Sequence, residues 1–258
     1  MWFKITSYIN FLINSTNQHG VHSPFVYNLV TKCFYKKTTS LKKTAYLNYK
    51  KKLANNKNQI EVNDLGEGSK VFKSNKRKIS KIAKVAGISN KRAFLLIRLV
   101  EYFKPNTVLE LGTSLGLATA AMHLGDKASK IYSIEGCKNT ANVAASTLKK
   151  VGFSNIEIIN NNFSEALPKL TKNKKLDFIY IDGNHKKEAT ISYFNQCLKA
   201  THNNSIIIFD DIYWSKQMQL AWQHIINNPK VTVSIDTYKW GIVFFRKEQA
   251  KEHFTIRI

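Results

Sequence analysis

The hydrophobic rhythm of the chain changes near residue 107. From there, short apolar runs alternate with amphipathic stretches: TVLEL (107–111), KIYSI (130–134), IEIIN (156–160), LDFIYI (176–181), NSIIIF (204–209), VTVSI (231–235) and GIVFF (241–245). Such runs, divided by stretches of helical spacing, predict βαβ units and a mostly parallel sheet. Only DTYKW separates the last two, too little for a crossover helix, so they predict a hairpin. The expectation is an α/β fold with a seven-stranded, mostly parallel sheet holding one antiparallel strand.

Before residue 107 the pattern is helical and less regular. Ser23 and Pro24 form a cap and first-turn pair that opens Phe25, Val26, Leu29, Val30 and Phe34 at helical spacing. Residues 38–58 carry Lys on most faces, with only Leu41, Tyr46, Leu47, Tyr49 and Leu53 as anchors, so weak packing is expected there. Residues 60–80 read as a basic loop with a strand-like start. A helix is expected over 90–103, closed by Pro105. The expected division is a basic helical N-terminal extension over 1–63 and an α/β domain over 64–258.

Composition narrows the class. With 258 residues, 43% hydrophobic and 22% charged, the chain can bury one sizeable core, and collagen, coiled coil and wholesale disorder are excluded. The N-terminal WFKITSYINFLINS is broken by Lys4, Ser7 and Asn10, so neither a signal peptide nor a membrane span is expected. Cys33, Cys137 and Cys197 lie far apart in no metal-ligand spacing, which suits free thiols and a cytoplasmic location.

Net charge is +23, and residues 1–100 hold 20 Lys/Arg against 3 Asp/Glu. That asymmetry suits an anionic partner such as nucleic acid, a membrane surface or a phosphorylated substrate. Yet only five of the 40 cations are Arg, the residue suited to bidentate phosphate and base contacts, while Asn reaches 25. A codon bias toward A and T gives the same profile.

Candidate chemistry begins at TVLELGTSLGLATAAMHL, where a strand, a turn with Gly112 and Gly116, and an amphipathic helix follow in immediate succession. Backbone N–H groups at such a helix start can meet a ligand, with glycine allowing close approach. Glu135, at the end of the next strand, can accept both hydroxyls of a ribose. The spacing differs from the dinucleotide fingerprint and argues against NAD.

In order, VLELGTSLG, IYSIEG, INNNFSEAL, LDFIYIDGNH and IIIFDDIYWS resemble the motifs of class I S-adenosylmethionine-dependent methyltransferases, most closely small-molecule and sugar O-methyltransferases, over about residues 90–246. The resemblance implies a Rossmann-like fold and S-adenosyl-L-methionine as cofactor. Glu110, Gly112, Thr113, Ser114 and Gly116 would then lie at the methionine part, Glu135 at the ribose, and Asn162 and Phe163 beside the adenine, with Asp182 as a further contact. INNNF offers only amides where the family commonly has an acidic residue. Asp64–Ser69 imitates a cofactor glycine loop, but no apolar helix follows it; a lid near the pocket entrance and a plain surface turn fit it equally.

Asp182 ends the fourth run, and Asp210 and Asp211 end the fifth. Carboxylates at neighbouring strand ends call for a cation or a shared proton, and all-oxygen ligands suit Mg²⁺ or another hard divalent metal. The similar metal-dependent O-methyltransferases carry an Asp and an acidic pair at these places, so Asp182, Asp210 and Asp211 are the expected metal ligands, the ion lowering the acceptor hydroxyl's pKa. Helix capping by Asp210 and Asp211 is the alternative. His185, three residues after Asp182, fits a general base and equally a surface histidine at a helix start, and Tyr213 and Trp214 could wall the acceptor or equally belong to the core.

The favoured function is O-methylation of a small-molecule acceptor. RNA ribose methylation is the alternative, motivated by the basic half with Tyr27, Tyr35, Tyr46 and Tyr49; a non-catalytic cofactor-fold binding module is the third. Asp182-Gly183-Asn184-His185 is not the Pro-Pro-aromatic motif of amino-methylating enzymes, and no cysteine is placed for cytosine C5 attack. The acceptor and the oligomeric state are not encoded legibly.

Overall fold

The computed structural model describes residues 2–64 and 72–258. In chain order the elements are α1 (Trp2–Asn14), α2 (Pro24–Leu29), α3 (Ser40–Ala54), β1 (Gln59–Glu61), β2 (Lys76–Lys78), α4 (Ile79–Val85), α5 (Asn90–Phe103) and β3 (Thr107–Leu111). They continue as α6 (Leu117–Gly125), β4 (Lys130–Glu135), α7 (Lys138–Lys150), β5 (Ile156–Asn160), α8 (Phe163–Asn173), β6 (Phe178–Ile181) and α9 (Lys187–Cys197). The chain closes with β7 (Ile206–Asp210), α10 (Lys216–Asn227), β8 (Val233–Asp236), β9 (Trp240–Phe244) and β10 (Glu252–Thr255). The fold is α/β, with a mostly parallel, mixed sheet of eight strands flanked by helices.

The chain forms two compact units, Lys36–Ala166 and Met1–Tyr35 with Leu167–Ile258. Residue 63, the expected boundary, lies inside the first.

In the Lys36–Ala166 unit β3, β4 and β5 run parallel in that order, Thr107 opposite Lys130 and Ile131 opposite Ile156. Val108, Leu109 and Leu111 are fully buried. Ser89 caps α5 by accepting from the Arg92 N–H, and left-handed Lys104 before Pro105 ends it. The segment expected to pack weakly does not: Tyr46, Tyr49 and Leu53 of α3 are buried to within 1% of full burial. Their spacing of three and four residues puts them on one face, while Leu41, Leu47, Lys51 and Lys52 face solvent. Part of the expected basic loop is a hairpin, β1 antiparallel to β2. Arg77 of β2, itself buried, forms a two-pronged bond to Asp64. The rest of the expected lid, residues 65–69, lies outside the described residues.

In the other unit the strand order is β10-β8-β9-β7-β6. The expected hairpin is there, β9 antiparallel to both β7 and β8. One strand went unforeseen: β10 lies parallel to β8, yet EHFT has no apolar run because only Phe254 turns inward. Ser23 caps α2 as expected, with Pro24 in the first turn. Among the described residues no helix is long and apolar enough to cross a membrane. All three cysteines are buried thiols outside any disulfide.

Candidate active site

The turn after β3 enters the left-handed region three times, at Gly112 (φ 103°), Ser114 (φ 48°) and Gly116 (φ 75°). Gly116 is the N-cap of α6. A Cβ there would lie 2.9 Å from Tyr49 Oη and 3.2 Å from Leu148 Cδ1, so side-chain packing as well as backbone shape demands glycine. Tyr49 Oη donates to the Leu115 carbonyl at 2.7 Å, pinning the turn from behind. Sequence reasoning missed this role, although Tyr46, Tyr49 and Leu53 already marked a buried face.

Glu135 ends β4 beside that turn. Its Oε2 accepts from the Ser114 N–H at 2.7 Å and its Oε1 from the Cys137 N–H at 2.9 Å. Each oxygen has one backbone donor here and can accept another bond, which fits a diol. Asn161 donates its N–H to the Glu135 carbonyl, so exposed Asn162 and half-buried Phe163 follow directly beside the β4 end. A ribose and a base would need this kind of edge.

Glu110 and Thr113 are placed otherwise than expected. Both are buried, and Glu110 Oε2 accepts from Thr119 and Ser133 while Thr113 bonds Ser133. They hold the turn from within instead of facing a ligand. Burial pushes the Glu110 carboxyl up to about 7, the two hydroxyls opposing the rise, and its Oε1 has no partner.

The second group of residues belongs to the other unit. After β6, Asn184 and His185 are both left-handed (φ 69° and 43°), a costly conformation outside glycine that accumulates at functional sites. His185 Nε2 lies 3.6 Å from Asp182 Oδ1, and the Trp214 ring centroid is 5.9 Å from that of His185. Lys4 Nζ sits 4.1 Å over the Trp214 ring, so α1 reaches this group, which the sequence did not foretell. Tyr213 donates to Asp236 at 2.6 Å and stacks on Tyr238; burial raises the Asp236 pKa, the two hydrogen bonds opposing it.

The expected metal site is not assembled. Among the described residues no three His, Cys, Asp or Glu side chains gather to hold an ion. Asp210 is buried and accepts from the Asp211 N–H, left-handed Asp211 turns its carboxylate to Lys239 at 3.7 Å, and Asp182 faces His185. The three carboxylates are drawn to separate donors instead of converging, so the residues do not fit a resident divalent metal. Nor do they cap the next helix, whose cap is Ser215.

Residues 109–212 match the family model described as a methyltransferase domain. The O-methyltransferase hkm8 of Aspergillus hancockii is 26% identical over 129 residues, 48% of this chain and 50% of that protein. The chain spans between 34% and 50% of the curated relatives it matches. A methyltransferase of Podospora anserina, solved with S-adenosylhomocysteine bound, aligns with a TM-score of 0.62 at 14% identity, covering 88% of this chain and 97% of that one. The O-methyltransferase TomG of Streptomyces achromogenes, involved in tomaymycin synthesis and solved with S-adenosylmethionine, aligns at 0.54 and 17% identity over 62% and 81%. Residues 109–212 thus match a methyltransferase-domain family model, and the fold is that of the class I S-adenosylmethionine-dependent methyltransferases.

Proposed function

We propose that the protein transfers a methyl group from S-adenosylmethionine to a hydroxyl of a small-molecule acceptor. The observation that carries this reading is Glu135, half-buried at a strand end, with one oxygen bonded to the glycine turn at the Ser114 N–H and the other to the Cys137 N–H that follows its own strand. It would hold the ribose, with Gly112, Ser114 and Gly116 shaping the bed of the methionine part and Asn162 and Phe163 flanking the adenine. When bound, the cofactor supplies an electrophilic methyl group on sulfonium sulfur. His185 takes the proton from the acceptor hydroxyl, and Asp182 steadies the imidazolium that forms. Trp214 and Lys4 border the acceptor. No step is assigned to a metal, because the three carboxylates do not converge.

TomG, which acts in tomaymycin synthesis, supports a small acceptor. So does the fate of the tyrosines that suggested RNA, since Tyr46 and Tyr49 are core residues and only Tyr27 and Tyr35 are exposed. Calorimetry tests the reading. The wild type is expected to bind S-adenosylmethionine, and Glu135→Ala to weaken binding by about 1.5–3 kcal/mol, the scale of a hydrogen bond to a charged group. Absence of binding by the wild type, or equal binding by the variant, rejects this site.

A further inference from the structure

Helix α1 presents its apolar side outward. Trp2 is 81% exposed and Ile13 76%, with Ile5, Tyr8, Ile9 and Leu12 also exposed, whereas Ser7 and Phe11 face the protein. At 100° per residue these six side chains fill a continuous arc of about 140° without a charge. Solvent-facing apolar arcs of this kind mark a surface that meets something. The helix is anchored along the edge of that arc and beyond it: Tyr8, at the edge, packs edge-on against Tyr238, the Lys4 carbonyl accepts from Tyr238 Oη at 3.0 Å, and Lys4 lies over Trp214.

We infer that α1 docks flat on an anionic lipid bilayer. With 13 residues it is too short to span a membrane, but Trp, Tyr, Leu and Ile side chains along one face suit the boundary between headgroups and acyl chains. Helices that lie free on membranes carry their cations on the polar face; here the protein body occupies that face, and the positive charge comes from the rest of the chain. The unit that carries α1, residues 1–35 and 167–258, holds 16 Lys/Arg against 8 Asp/Glu, and the whole chain carries +23. That charge selects among occupants. A second copy would bring another +23 against the first, whereas an anionic bilayer is attracted and adds the second contribution that stable peripheral binding needs. The inference does not depend on the methyltransferase reading.

The test uses the full chain in sedimentation with vesicles of phosphatidylcholine alone or mixed with phosphatidylglycerol. Binding is expected to the mixed vesicles, to fall as salt rises, and to drop more than about tenfold in the double variant Ile9→Glu, Ile13→Glu. Both positions are exposed, so circular dichroism should match the wild type. As a measurement that needs no charge insertion, tryptophan emission should shift to the blue on anionic vesicles in the wild type but not in Trp2→Phe. Binding retained by the double variant, equal binding to both vesicle types, or no binding at low salt overturns the inference. So does a dimer that the double variant dissociates, which would assign the face to a second copy.

Discussion

Glu110 shows how one residue can tie the glycine turn to solution conditions. In the unfolded chain its carboxyl titrates near 4.5, whereas burial pushes it up to about 7 in the fold. Between these values the native state holds a proton that the unfolded state has released, so this residue's contribution to stability falls as pH rises through that window and is flat above it. The difference corresponds to about 3 kcal/mol. Urea unfolding at pH 5 and pH 8 should therefore show a decline in the wild type that is much smaller in Glu110→Gln; parallel curves would mean that the carboxyl is not protonated in the fold. His185 makes the complementary prediction for catalysis. His185→Gln should lower kcat by about a hundredfold or more, the usual worth of a positioned base, with S-adenosylmethionine affinity unchanged. Turnover by the wild type should persist in excess chelator, and its loss would return Asp182, Asp210 and Asp211 to a metal role.

At the scale of elements, the glycine turn is held by a helix far from it in sequence. Tyr49 of α3 both donates to Leu115 and occupies the space that a side chain at Gly116 would need. Tyr49→Phe leaves the Leu115 carbonyl without its donor and should cost about 1–3 kcal/mol. Gly116→Ala should cost at least about 1 kcal/mol, from the left-handed backbone and the contact at 2.9 Å. Because removing the hydroxyl opens part of that space, the double variant should be less destabilised than the two single variants added, a coupling that thermal melts would measure. Strict additivity would disprove the contact. The strands of this region were readable because Val and Ile runs declare themselves, and so were Gly112 and Glu135, whose residue types are the chemistry. The tie between Tyr49 and Leu115 was not, because it joins residues 66 apart in sequence through a backbone carbonyl, which has no residue identity. The same holds for the acid triplet. Residue types and strand ends foretold where Asp182, Asp210 and Asp211 stand, but their orientation depends on left-handed Asp211 and on Lys239, which only the fold brings to 3.7 Å.

For the whole molecule, the charge imbalance is the feature most visible in the sequence and least explained by the fold. Forty cations against seventeen anions leave 23 positive charges unbalanced, so the compact state carries net self-repulsion. The opposing effect of salt is the screening of attractive pairs. Such pairs are partly exposed, as with Lys36 and Lys42 beside Glu101 at 3.6 and 3.5 Å, and exposed pairs contribute at most about 1 kcal/mol each. Screening should thus weaken repulsion more than attraction as the Debye length contracts toward about 10 Å near 0.1 M salt. The melting temperature is expected to rise with sodium chloride at low ionic strength and then level off. Chloride is the ion to use, since sulfate strengthens apolar burial in its own right. A melting temperature that falls over the same range would mean that local ion pairs outweigh the net charge, and that the lysine excess is balanced by contacts among its neighbours in the fold.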